Sequence, residues 1–124
     1  MKTYIEDNNL EADFDHWSKA STWTNAETIF LINGIEPSKV LVEEKNYIEE
    51  GLKYQISEFI RVDKHQKLIE RARIDGRLER RNHPIIAMTW CDDVGLEVPL
   101  ELKELVIAQF ERQQKRADEL QGKQ

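Results

Sequence analysis

Apolar residues recur along this chain at helical spacing, with glycines and prolines marking where each run stops and starts. Leu10, Phe14 and Trp17 fall at i, i+4 and i+7 and predict a first helix over 10–20. Thr24 and Glu27 have the spacing of a capping box, with Trp23 placed just ahead of it to pack over the helix start. Ile29, Phe30, Leu31 and Ile32 then make a segment apolar all round, which predicts a central helix. Asn33-Gly34 ends it, because a glycine enters the left-handed conformation of a helix stop without steric cost.

Glu36-Pro37 opens the next helix, with Val40, Leu41, Tyr47 and Ile48 facing inward and Glu43, Glu44, Glu49 and Glu50 outward. Gly51 reads as a break, after which Leu52, Ile56, Phe59 and Ile60 resume the spacing. Asp63 can cap a fresh helix through Leu68, Ile69 and Ala72 to Gly76. A polar loop over 77–83 follows, and Asn82 or His83 caps a helix with Pro84 in its first turn. That helix is predicted to face inward with Ile86, Trp90 and Val94, flanked by Ala87 and Cys91, and to stop at Gly95. Pro99 opens the last helix, whose stripe of Leu102, Val106 and Phe110 fades into Ala117 and Leu120. No stretch alternates strictly enough to predict a sheet. The expected fold is all-α: a compact bundle of six or seven short helices forming one domain over 1–113, with 114–124 a polar helix end or frayed tail.

Composition narrows the classes of function. The 124 residues carry 18 Lys+Arg and 24 Asp+Glu, a net charge of −6, with 40% hydrophobic residues, too many for wholesale disorder. The apolar runs fall far short of the ~20 residues that cross a bilayer. The opening MKTYIEDNNLEADFD is acidic and lacks an apolar core, so no secretory signal is expected. One cysteine, Cys91, excludes an intramolecular disulfide and fits a cytoplasmic location.

Candidate chemistry is sparse. His16, His65, His83 and Cys91 are scattered without metal-ligand spacing, and Asp13 and Asp15 diverge by about 200° around a helix. Cys91, beside Trp90 in an apolar helix, suits a small buried hydrophobe better than an activated thiolate. Trp17, Trp23 and Trp90 read as core anchors rather than a ligand pocket. Catalytic, cofactor and metal residues are therefore not expected, and neither is an enzyme.

Charge is segregated: residues 1–60 sum to −7, 61–83 to +4 and 84–124 to −3. Arg71, Arg73, Arg77, Arg80 and Arg81, around the turn Asp75-Gly76, are the candidate contacts for a partner. An acidic surface beside a basic ridge can orient a protein partner. The last helix, 99–120, can also self-associate weakly, though Lys103 and Gln113 interrupt a coiled-coil repeat.

Two resemblances accompany this reading. Trp23-Thr24-x-x-Glu27 with Leu31, Gly34-Ile35 and Pro37, then Ile69-Glu70-Arg71-Ala72 with Gly76 and Leu78, then Trp90, Gly95, Pro99 and Leu102, resembles small uncharacterised bacterial domains of the prophage and mobile-element type. Thr28 stands where that pattern usually has Ala, and Glu36 where it has Asp. The resemblance implies a fold and a context but no chemistry. Ala72, Gly76, Leu78 and Trp90 also look like an excisionase-type helix-turn-helix, which implies DNA binding through the basic stretch 71–83. The expected function is thus a non-enzymatic protein-interaction module. A DNA-binding regulator is the alternative, and an acidic DNA mimic that inhibits a host enzyme is a minor one.

Overall fold

A computed structural model describes residues 3–41 and 47–122, with the Tyr47 side chain excluded. The fold is all-α. Eight helices occur among the described residues: α1 (Tyr4–Asp7), α2 (Phe14–Ser18), α3 (Asn25–Ile32), α4 (Pro37–Val40), α5 (Tyr47–Lys53), α6 (Ser57–Ile74), α7 (Pro84–Asp93) and α8 (Leu100–Gln121). Two dipeptides, β1 (Trp23–Thr24) and β2 (Arg81–Asn82), pair antiparallel, Trp23 opposite Asn82 and Thr24 opposite Arg81.

α3 is the centre of the core. Its capping box is complete: Thr24 Oγ1 accepts from Glu27 N at 3.1 Å, and Glu27 Oε1 accepts from Thr24 N at 2.7 Å. Thr28, Ile29, Phe30, Leu31 and Ile32 are all buried, so this helix has no solvent face over that stretch. Each such apolar side chain withdrawn from water contributes about 1.5–3 kcal/mol. Trp23 is fully buried ahead of the cap, with its indole N–H donating to the Trp17 carbonyl at 2.9 Å. Phe59, Val62, Ile69 and Ala72 of α6 supply one wall; Trp90 and Cys91 of α7 and Leu102 and Val106 of α8 complete the core.

Several sequence expectations are corrected. Leu10 is buried but lies outside any helix; the predicted first helix is only the turn α2, and Glu11 makes a bridge to Ile35. α6 runs through Asp63 unbroken, and Asp63 forms an i,i+4 ion pair with Lys67 at 3.1 Å. Gly51 lies inside α5 rather than breaking it. A Cβ there would stand 2.2 Å from Phe59 Cβ, so glycine is needed for the close approach of α5 to α6. The chain reverses after α5 instead, at Gln55, which takes φ +54°.

Leu41, Leu52 and Leu68 are 46%, 41% and 41% exposed rather than inward. Leu41 is the C-cap of the one-turn α4. On α7 the inner face is Ala87, Met88, Trp90 and Cys91, while Ile86 and Val94 fall on its edges and are exposed. α8 continues past Gln113 to Gln121, since its polar second half holds strong helix formers and no Gly or Pro before Gly122. Glu43, Glu44 and the Tyr47 side chain lie outside the described residues.

One buried carboxylate ties the N-terminal segment to this frame. Glu36 accepts from Asp13 N at 3.0 Å, from the Trp17 indole N–H at 3.1 and 3.0 Å, and from Ser38 N and Oγ at 3.0 and 2.7 Å. Burial by itself would raise its pKa, but these bonds together outweigh it and hold the group below its ordinary value of 4.5. A carboxylate titrating lower when folded contributes stability that is complete above that ordinary value and is lost as pH falls through the folded one. As pH falls below the ordinary value of 4.5, wild-type unfolding midpoints therefore drop more steeply than those of Glu36→Gln. At neutral pH Glu36→Gln costs about 1–3 kcal/mol, because its amide faces donors only; urea denaturation across pH checks both. Gly51→Ala costs about 1–3 kcal/mol by overpacking against Phe59, read from the same denaturation curves.

Candidate functional site

The five candidate arginines lie at the end of α6 and on the loop behind it. α6 stops in a Schellman turn: Gly76 N donates to the Arg73 carbonyl at 3.0 Å and Arg77 N to the Ala72 carbonyl at 2.9 Å, with Gly76 at φ +79°. Leu78 then turns back into the core. The loop was expected to be plain polar chain, but it is pinned by two buried asparagines. Asn25 Nδ2 donates to the Glu79 carbonyl at 3.0 Å, and Asn82 Nδ2 donates to Asn25 Oδ1 at 3.0 Å. Asn82 Oδ1 accepts from Glu79 N at 2.9 Å, and β2 pairs with β1 alongside. His83, one of the two candidate caps, accepts from Ile85 N through Nδ1 at 3.1 Å and starts α7. Arg80 and Arg81 thus project from a backbone with little freedom left.

The arginines are not equivalent. Arg73 holds Glu70 through a forked guanidinium–carboxylate bond, Nε reaching the two oxygens at 3.0 and 3.1 Å. Arg73 is the chief cause of Glu70 titrating below its ordinary range, with Arg80 adding to it, and Glu70 in turn raises Arg73. Arg71 pairs with Asp75 at 3.5 Å on an exposed edge, worth little in water. Arg77, Arg80 and Arg81 make no ion pair among the described residues. Arg73, Arg80 and Arg81 line a groove of about 470 Å³ together with Leu78 and one carboxylate residue, Glu79. Glu70, Arg73, Arg80 and Asn25 line an adjoining hollow of about 350 Å³. Arg71 and Arg77 line neither, so the sequence cluster of five becomes a groove of three with two outliers.

Elsewhere the chemistry is quiet. Burial, and then the neighbouring Asp92, push the Cys91 thiol up to about 12, so it is protonated at neutral pH. Asp92 and Asp93, at the negative end of the α7 dipole, are relieved on one side by Lys103 of α8, whose Nζ is 3.2 Å from Asp92. Trp23 and Trp90 are core; Trp17 is half-buried and spent on Glu36. Among the described residues no three His, Cys, Asp or Glu side chains converge to hold a metal, and no helix is long and apolar enough to cross a membrane. α7 contains no Lys or Arg, and α8 beyond Phe110 is exposed along its whole length, with Leu120 65% exposed.

Asn25 and Asn82 were missed as site residues because they pair across 57 positions, which no local pattern signals. Arg61 and His65, which with Asn33 line a separate cleft, were also missed: their 61–65 spacing puts them on one face of α6, the signal that could have found them. If the asparagine pair fixes the groove, Asn82→Ala destabilises the protein by about 1–3 kcal/mol, as buried partners lose their bonds. It also raises protease cleavage at 77–83 above that of wild type, which limited proteolysis with mass mapping checks. Comparison with protein-family models, with curated proteins and with solved structures finds nothing that matches this chain, so its reading rests on this geometry.

Proposed function

We propose that the protein is a non-enzymatic, cytoplasmic helical interaction module of the kind carried by bacterial mobile elements. It docks an acidic segment of a partner protein on the groove of Arg73, Arg80 and Arg81. The observation that carries this reading is the pinned loop: Arg80 and Arg81, which make no ion pair among the described residues, are presented on a backbone held by buried hydrogen bonds beside Arg73. Preorganised guanidinium groups lose less entropy on pairing than free ones, and their planar forks match carboxylates. The acidic remainder of the surface disfavours other orientations. The exposed distal half of α8 offers a second contact, through which weak self-association over 99–120 would occur.

The DNA-binding reading is less well supported. In the arrangement that 71–83 resembles, the helix after the basic loop approaches the duplex, and here that helix is α7, with no cation and two terminal aspartates. The cations of this stretch would have to outweigh a chain charge of −6 against the whole phosphate backbone. The DNA-mimic reading gains nothing, since part of its acidic stretch, including Glu43 and Glu44, lies outside the described residues.

Fluorescence anisotropy with a labelled Glu-rich peptide and a labelled random duplex, at one low ionic strength, separates the readings. The module reading expects the peptide to bind more tightly than the duplex. It expects the double variant Arg80→Ala/Arg81→Ala to weaken the peptide about tenfold or more, equivalent to about 1.4 kcal/mol. Duplex binding that is tighter, strongly salt-dependent and lost in that variant would establish the regulator instead.

A further inference from the structure

A cleft of about 660 Å³ lies roughly 18 Å along α6 from Arg73, at 1.5 Å per residue, and the reading above makes no use of it. One wall is apolar, from Phe14, Ile32, Val98 and Leu100, and Leu100 is 68% exposed. The polar part of the lining includes Asn33, Arg61 and His65. These three form one chain of hydrogen bonds. Asn33 Nδ2 donates to the Ile29 carbonyl at 2.8 Å, and Asn33 Oδ1 accepts from Arg61 Nε at 2.6 Å, so both ends of the amide are assigned by their partners. The same Nδ2 lies 3.3 Å from His65 Nδ1. An amide nitrogen only donates, which makes Nδ1 the acceptor and leaves the ring proton on Nε2. Burial, and then the Arg61 charge, hold His65 below its ordinary pKa of 6.5, so this tautomer is the neutral-pH form.

The result is a polar wall rich in hydrogens to donate. Arg61 keeps its two Nη groups, with no ion-pair partner among the described residues, and His65 keeps Nε2–H. Such a wall calls for an acceptor with two oxygens, and Arg61 is already oriented by Asn33 to present its fork. The apolar part of the lining favours an organic acid over an inorganic anion. We propose that this cleft binds a carboxylate carried on a short apolar body. The carboxylate pairs with Arg61 and His65 Nε2, and the body lies against Phe14, Val98 and Leu100. Glu97 also lines the cleft and opposes the anion, so its removal strengthens binding. A small monocarboxylic acid and the free C-terminus of a peptide ending in an apolar residue share this chemistry.

The test is a titration of the full chain followed by nitrogen–proton correlation spectra. Its probes are phenylacetate, phenylacetamide, inorganic phosphate, and a hexapeptide ending in leucine with a free or an amidated C-terminus. Phenylacetate or the free-acid peptide is expected to shift Asn33, His65 and Leu100 in a saturable way, at least about tenfold more tightly than the matching amide. Arg61→Ala, at an exposed position, is expected to stay folded by its spectrum and weaken binding about tenfold, Arg61→Lys less, while Glu97→Gln tightens it. Tighter binding of the free-acid peptide would make a chain terminus the source, and the reverse order a small acid. The proposal is overturned if neither acid shifts these residues, if the amides bind as well as the acids, or if phosphate binds there as tightly. It is equally overturned if Arg61→Ala leaves affinity unchanged.

Discussion

The structure depends on the burial of α3 on every side. A helix without a solvent face over 28–32 leaves its neighbours little choice: α6, α4 and β1 pack directly on it, and α7, α8 and the N-terminal segment join the same core. Polar side chains at both ends of that helix find partners, buried at the N-terminal end and half-exposed at the C-terminal end. At the N-terminal end Asn25 finds Asn82 and the Glu79 carbonyl; at the C-terminal end Asn33 finds the Ile29 carbonyl, Arg61 and His65. Each asparagine satisfies the core and, by the same bonds, orients cationic or donor side chains on the surface. That is why the two hollows with most chemistry lie near opposite ends of one helix.

Scaffold and candidate chemistry are therefore divided between residue types. Tryptophans, capping residues and the buried Glu36 hold the frame, while arginines and one histidine are displayed on it. Glu36 shows how a charge serves the frame: it is buried beside five hydrogen bonds from N–H and O–H groups and has no cation among the described residues.

Local punctuation was legible in the sequence. The Thr24–Glu27 box, the stops at Gly34, Gly76 and Gly95, the starts at Pro37 and Pro84, and the all-round burial of 29–32 follow from backbone chemistry within one or two turns. What escaped depends on contacts between distant residues. Gly51 reads as a helix breaker until Phe59 is seen against it, and Asp63 reads as a cap although α6 passes through it. The 77–83 loop reads as solvated chain because Asn25 lies 57 positions from Asn82. The basic stretch was visible as composition; which three of its five arginines share a groove was not, since the path of the loop, held by Asn25 and Asn82, decides it.

The central claim, that α3 and the asparagines at its ends form the least yielding part of the molecule, is open to native-state hydrogen exchange in low denaturant. The account predicts that amides of 28–32, together with the Glu79 amide bonded to Asn82, exchange only through global unfolding, while α8 beyond Phe110 exchanges by local opening. Exchange of the α3 amides at a lower free energy than those of α6 or α8 would contradict it.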